Sequence, residues 1–139
     1  MSEIIAYLKA LTPEARAALE GECLKLDSFP FRVGRESRLE LFGGALNRRR
    51  PDSLPNNDLY LVENGTMLNV SREHFLIDRN GAGHVLVDRG SACGTIVEGQ
   101  LVGGEKRGGV RPLRDQDVIV VGTSDSKYIF KFIVRPTIQ

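Results

Sequence analysis

VSREHFLIDRNGAGHVLVD, residues 70–88, holds two β-prone runs, HFLID (74–78) and HVLVD (84–88), on either side of Asn80-Gly81. Asn-Gly between apolar runs is a strong hairpin signal, because a tight two-residue turn needs positive φ and these residues accept it. The stretch therefore predicts an antiparallel pair. Working outward, CLKL (23–26), FPFRVG (29–34), DLYLV (58–62), TIV (95–97), QLV (100–102), DVIVVG (117–122) and YIFKFIV (128–134) are similar runs bounded by turn residues. Nine such runs, close-set after residue 58 and without helical period between them, predict an all-β sandwich or barrel.

The first 22 residues read differently. Ser2 caps a predicted helix over Glu3–Leu11, and Thr12-Pro13-Glu14 signals a second helix with proline at its first position and Gly21 as its stop. Ile4, Ile5, Leu8 and Leu11 would then form an apolar stripe, which packs on the domain or makes residues 1–22 a candidate for self-association. Glu36 to Asn57, rich in glycine and proline and carrying the Arg48-Arg49-Arg50 triplet, reads as a long solvated loop.

The totals narrow the function classes. A chain of 139 residues is large enough for one domain with a real core. Nineteen basic against eighteen acidic residues leave a net charge of +1, which argues against sequence-independent nucleic-acid binding. No apolar stretch approaches the roughly 20 residues of a membrane helix. MSEIIAYLKALTPE lacks a basic n-region and a cleavage site and reads as mature chain. The two cysteines, Cys23 and Cys93, are not framed as a disulfide scaffold, so a reducing, cytoplasmic setting is expected.

Three polar clusters sit where β-runs meet turns: Gly34-Arg35, Ser71-Arg72-Glu73-His74, and Asp88 through Thr95 (DRGSACGT). Alternate strand ends of a sandwich gather on one edge. Brought together there, these clusters supply a guanidinium, hydroxyls and turn N–H groups, the donors an oxyanion such as phosphate requires. The order and spacing Gly-Arg, Ser-x-x-His and Gly-Thr, with NNDLYL before the second and LRDQDVIVVG near the end, resembles the forkhead-associated (FHA) domain from about Cys23 to Val134.

That resemblance implies a β-sandwich of about eleven strands over residues 23–139, following a short helical extension at 1–22. It implies a module that binds phosphothreonine peptides through loops at one end, as an adaptor in Ser/Thr-kinase signalling, partnered by a phosphorylated kinase or substrate. By the same resemblance Arg35 and Ser71 hold the phosphate, and Arg72, Ala92 and Cys93 face the peptide. Gly34, His74, Gly94 and Thr95 support the loops. Cys93 stands where the family usually has an asparagine that clamps the peptide backbone, Ala92 replaces a common serine or threonine, and Glu98 a second asparagine. The phosphate cradle is kept while the peptide clamp is partly degenerate, and a clamp lost in this way costs about 1–2 kcal/mol. The alternative is a structural interaction or self-assembly domain that no longer reads phosphate.

Other chemistries find little support. Ser71 and His74 have no third partner for a hydrolytic triad. Cys23, His74, His84 and Cys93 lack paired zinc-ligand spacing. GGEKRGG (103–109) lacks the GK[ST] element of a phosphate-binding loop and reads as a flexible hairpin loop. The expectation is a non-enzymatic protein with no metal or cofactor, no membrane segment and no specific nucleic acid.

Overall fold

The structure, a computed structural model, describes residues 4–37, 39–42, 45–48, 55–63, 68–81 and 83–136. Its strands are β1 (Ile4–Ala10), β2 (Cys23–Lys25), β3 (Phe31–Arg35), β4 (Leu39–Phe42), β5 (Ala45–Arg48), β6 (Leu59–Leu61) and β7 (Phe75–Asn80). They continue with β8 (Gly83–Asp88), β9 (Thr95–Val97), β10 (Gln100–Val102), β11 (Gly109–Leu113), β12 (Val118–Val121) and β13 (Ile129–Pro136). One helix, α1 (Pro13–Leu19), interrupts the first two.

The strands form a six-stranded sheet, β10-β9-β12-β13-β1-β2, and a five-stranded sheet, β11-β8-β7-β3-β6. Inward residues alternate along β1, β7, β8 and β12, as a two-sheet core demands. Leu8, Val97, Ile119, Phe130 and Phe132 of the first sheet and Val33, Leu61, Phe75, Ile77 and Leu86 of the second are fully buried. The expected all-β sandwich of about eleven strands is the observed fold. Asn80-Gly81 opens the β7–β8 hairpin as expected, with Asn80 opposite Gly83 and Gly81 at φ 60°.

Ile4–Ala10 corrects the expectation of a first helix over Glu3–Leu11. Ile4–Ala10 is a strand, antiparallel to β13 from Ile4↔Pro136 to Ala10↔Phe130 and to β2 on its other side. Two neighbouring strands satisfy its backbone donors and acceptors, which outweighs a helix preference of a few tenths of a kcal/mol per residue. The supposed stripe is divided: Leu8 is in the core while Ile4 and Leu11 are exposed. Among the described residues of 1–22, the helical part is therefore α1 alone. Thr12 caps α1 as predicted, its hydroxyl accepting from the Ala15 N–H at 3.2 Å, but the left-handed C-cap is Glu20 rather than Gly21.

One loop is also corrected, and one strand lies outside the expected runs. The Glu36–Asn57 segment carries the β4–β5 ribbon, with Leu39 opposite Arg48; Arg49 and Arg50 lie outside the described residues. GVRPL (109–113) is β11, an edge strand, where Pro112 withholds no donor that an inner strand would need.

Candidate functional site

The three polar clusters do meet at one end of the sandwich. Arg35 closes β3, Ser71–His74 leads into β7, and the segment from Asp88 to Thr95 joins β8 to β9. The Arg35 N–H donates to Ser71 O at 2.9 Å, and the His74 N–H to Val33 O at 3.0 Å, so the first two clusters run side by side. Gly34 permits this approach. A Cβ there would lie 2.0 Å from Arg72 O and 2.7 Å from Asn57 Nδ2.

His74 ties the first loop to the second. Its Nδ1 accepts from the Ser71 N–H at 2.9 Å and its Nε2 lies 2.7 Å from Gly94 O. These partners assign the neutral tautomer with the proton on Nε2. Burial pushes its pKa below the usual histidine range, against the opposing pull of the Gly94 carbonyl and of Asp88 and Glu63. A base that must accept a proton is better exposed; this ring is a brace.

Asp88 organises the second loop from inside. Its Oδ1 accepts from the Gly90 and Ser91 N–H groups at 3.1 and 2.9 Å, and its Oδ2 from the Ser91 and Thr95 hydroxyls at 2.7 and 2.9 Å. Ser91 Oγ in turn accepts from the Gly94 N–H at 2.9 Å. Asp88, Ser91 and Thr95 are buried, so this carboxylate must be satisfied, and four donors satisfy it.

Asn57 links both loops to the long segment before β6. Its Nδ2 donates to Arg72 O at 2.7 Å, and its Oδ1 accepts from Arg89 at 2.6 Å. Arg89 also donates to Asn56 O at 3.1 Å and pairs with Glu73 at 3.3 Å. Burial lowers the Arg89 pKa, with Glu73 acting in the opposite direction.

Above this scaffold is an open cleft of about 530 Å³. Its walls come from Arg35, Ser71, Arg72 and Glu73 on one side, and from Arg89, Gly90 and Ala92 on the other, with Asn56 and Lys106 also contributing. Arg35 Nε is buried and has no hydrogen-bond partner among the described residues. Ser71 Oγ accepts from the Ala92 N–H at 3.0 Å, which leaves its own proton to donate. The arrangement is a cationic cradle with hydroxyl and amide donors, suited to an oxyanion rather than to proton transfer or metal ligation. Among the described residues no cluster of His, Cys, Asp or Glu could hold a metal ion, and no helix is long and apolar enough to cross a membrane.

Of the residues singled out in the sequence, Arg35, Ser71, Arg72 and Ala92 line the cleft, and Gly34, His74, Gly94 and Thr95 lie beneath it. Cys93 does not line it. Its Sγ is 3.8 Å from Leu68 O, turned toward the 68–70 segment. Glu98 is remote from the cleft in the tight β9–β10 turn, φ 48°, where its Oε2 accepts from the Val118 N–H at 2.7 Å. The sequence reading missed Asn57, Asp88, Arg89 and Lys106. Asp88 and Arg89 stood within the motif quoted, and Asn57 within NNDLYL; Lys106 stood in a loop set aside as flexible.

That loop is held. The Glu105 N–H donates to Ala92 O at 2.9 Å and the Lys106 N–H to Ser91 O at 3.0 Å. Gly103, at φ 75°, passes so close to Asp88 that a Cβ would sit 2.6 Å from Oδ1.

Several solved structures share the architecture. The kinase-interacting FHA domain of kinase associated protein phosphatase from Arabidopsis superposes with a TM-score of 0.64 at 20% identity, covering 100% of each chain. The FHA domain of CT664 from Chlamydia trachomatis gives 0.58 at 22% identity, over 93% of this chain and 96% of that one. EmbR from Mycobacterium tuberculosis, solved in complex with a low affinity phosphopeptide, gives 0.59 at 23% identity; the match covers 97% of this chain but 26% of EmbR. At these identities the likeness carries the fold. Among curated proteins none matches the chain in sequence. The family model of the FHA domain matches residues 31–122, from the first core strand of the five-stranded sheet to the end of β12. With the sheet order, the gathered loops and that match together, the chain belongs to the FHA-domain family, a family of phosphothreonine-peptide recognition modules.

Proposed function

We propose that this chain recognises phosphothreonine in a partner protein, with the phosphate held by Arg35 and Ser71 and the peptide running past Arg72 and Ala92. The observation that carries the reading is Arg35. Its Nε is buried without a partner among the described residues, and Arg35 lines the same cleft as a serine hydroxyl with a proton to give. A buried guanidinium N–H left without an acceptor is costly, and an incoming dianion relieves that cost. A phosphothreonine brings about −1.5 to −2 charges and three strong acceptor oxygens. Were the domain purely structural, a carboxylate of its own would be expected on Arg35; among the described residues none pairs with it.

The role that follows is an adaptor reporting the output of a Ser/Thr kinase, its partner the phosphorylated kinase or a substrate. Two unpaired thiols, Cys23 and Cys93, fit a reducing cytoplasmic compartment. The peptide clamp is reduced, since Ala92 offers no side-chain hydrogen bond and Cys93 is directed elsewhere. Binding is therefore expected to be phosphate-dependent and modest in affinity.

Fluorescence polarisation with an oriented library of phosphothreonine peptides and their unphosphorylated counterparts tests this. The wild type should bind only the phosphorylated set. Arg35→Ala should lose at least about a hundredfold in affinity, the value of two hydrogen bonds to a charged group. Its thermal midpoint should hold, because the backbone bond to Ser71 does not involve the side chain. Equal binding of both sets, or an unaffected Arg35→Ala, refutes the reading.

A further inference from the structure

The cleft holds more positive charge than one phosphate neutralises. Among the described residues Arg35, Arg72, Arg89 and Lys106 line it against the single carboxylate of Glu73, a net of three positive charges. Glu73 is already paired with Arg89. Glu105, the acid beside Lys106 in the chain, pairs with Arg107 at 2.9 Å and so does not neutralise the lysine. A phosphothreonine supplies about −1.5 to −2. About one positive charge is left over, and Lys106 is the cation outside the Arg35–Ser71–Arg72 group that has no carboxylate partner among the described residues.

The position of Lys106 is built. Glu105 and Lys106 both adopt left-handed φ, 53° and 62°, a conformation that disfavours non-glycine residues. Two backbone bonds to Ala92 and Ser91 hold them there, and the glycines at 103, 104 and 108 let the loop approach Asp88 and Gly94. A lysine serving only solubility needs no such clasp. The same hydrogen bonds join its loop to the one that carries Ala92, so the ammonium belongs to the wall along which a bound peptide would continue.

We infer that Lys106 forms a second anion subsite, and that the cleft selects acidic phosphopeptides: those with a further carboxylate or phosphoryl group close to the phosphothreonine. This rests on the phosphothreonine reading above. The contact is at an exposed rim, so the expected gain from a carboxylate is about three- to fivefold at low salt, screened as ionic strength rises. A second phosphate, with more charge, should gain more.

Three phosphothreonine peptides of one backbone sequence, with neutral flanks, acidic flanks or a second phosphothreonine, would be titrated into the wild type and Lys106→Gly. Glycine keeps the left-handed backbone free of strain, so the clasp survives the substitution. The inference predicts tighter binding of the acidic and doubly phosphorylated peptides by the wild type. It also predicts loss of that gain in Lys106→Gly, whose affinities for the neutral-flank and acidic-flank peptides should become equal. A gain for the doubly phosphorylated peptide alone would identify the source as phosphate, and a gain for both would admit carboxylates. Equal affinity for all three peptides, or a gain that survives Lys106→Gly, overturns this inference alone. Failure of the wild type to bind any of them overturns the phosphothreonine reading and this inference with it.

Discussion

The two ends of the β7–β8 hairpin each bury a histidine, and they use it differently. At the cleft end His74 is fully buried and both ring nitrogens are engaged, one by an N–H of the first loop and one by a carbonyl of the second. At the turn end His84 packs between the rings of Phe29 and Phe132, at 5.5 and 5.2 Å between centroids, and its buried Nε2 has no hydrogen-bond partner among the described residues. Burial depresses both pKa values, with Arg79 adding to the effect at His84. The surroundings decide what each ring does. His84 acts as an aromatic plug, and His74 as the pin of a polar frame that includes Asp88, Ser91, Thr95 and Asn57.

The frame is where the contrast is most easily broken. Asp88→Ala removes an acceptor of four hydrogen bonds and leaves the buried Ser91 and Thr95 hydroxyl protons without their acceptor. Urea denaturation should show a loss of about 3–5 kcal/mol, the largest effect expected of any single change here. A loss below about 1 kcal/mol would mean that the loop does not depend on its carboxylate.

The same substitution made at both ends sharpens the comparison. His74→Phe leaves the Ser71 N–H and the Gly94 carbonyl unsatisfied and should cost about 2–4 kcal/mol. His84→Phe keeps the tilted ring contacts and removes a nitrogen unpaired among the described residues, so stability should stay within about 1 kcal/mol of the wild type. Equal losses at the two sites would contradict the distinction drawn between them.

A smaller effect concerns pH. Both histidines have folded pKa values below the unfolded value near 6.5, so below that pH the unfolded chain binds more protons than the folded one. Stability from this source is complete above about pH 6.5 and is lost as the pH falls below it. Urea midpoints measured between pH 7.5 and 5.5 should fall in the wild type, and less steeply in either His→Phe variant. A midpoint that rises on acidification would show the opposite sign of linkage.

Much of the fold was legible because most strands carry their own β-type composition and turn signals, the Asn80-Gly81 hairpin above all. β1 was not. In IIAYLKA the inward positions are Ala6, Leu8 and Ala10, two of them alanines, so the period-2 signal is faint while Ile4, Ile5, Leu8 and Leu11 imitate a helical stripe. Only the pairing with β13 and β2, remote in sequence or separated by a helix, decides it. At the site, Arg35, Ser71 and His74 were legible as strand-end motifs. Lys106 was not, because a glycine-rich loop reads as mobile until its glycines are seen to make room for Asp88 and Gly94. Asn57 and Arg89 escaped because their function is a contact between segments 32 residues apart.

The central claim is that the polar end of the sandwich, and not the aromatic-plugged end, receives a phosphothreonine. Titration of a phosphothreonine peptide into isotopically labelled protein, followed by amide chemical shifts, tests it most directly. The account predicts the largest shifts at Arg35, Ser71, Arg72 and Ala92, with Gly81, Gly83 and His84 unmoved. Shifts centred on the Asn80–Gly83 turn, or the same pattern from the unphosphorylated peptide, would contradict it.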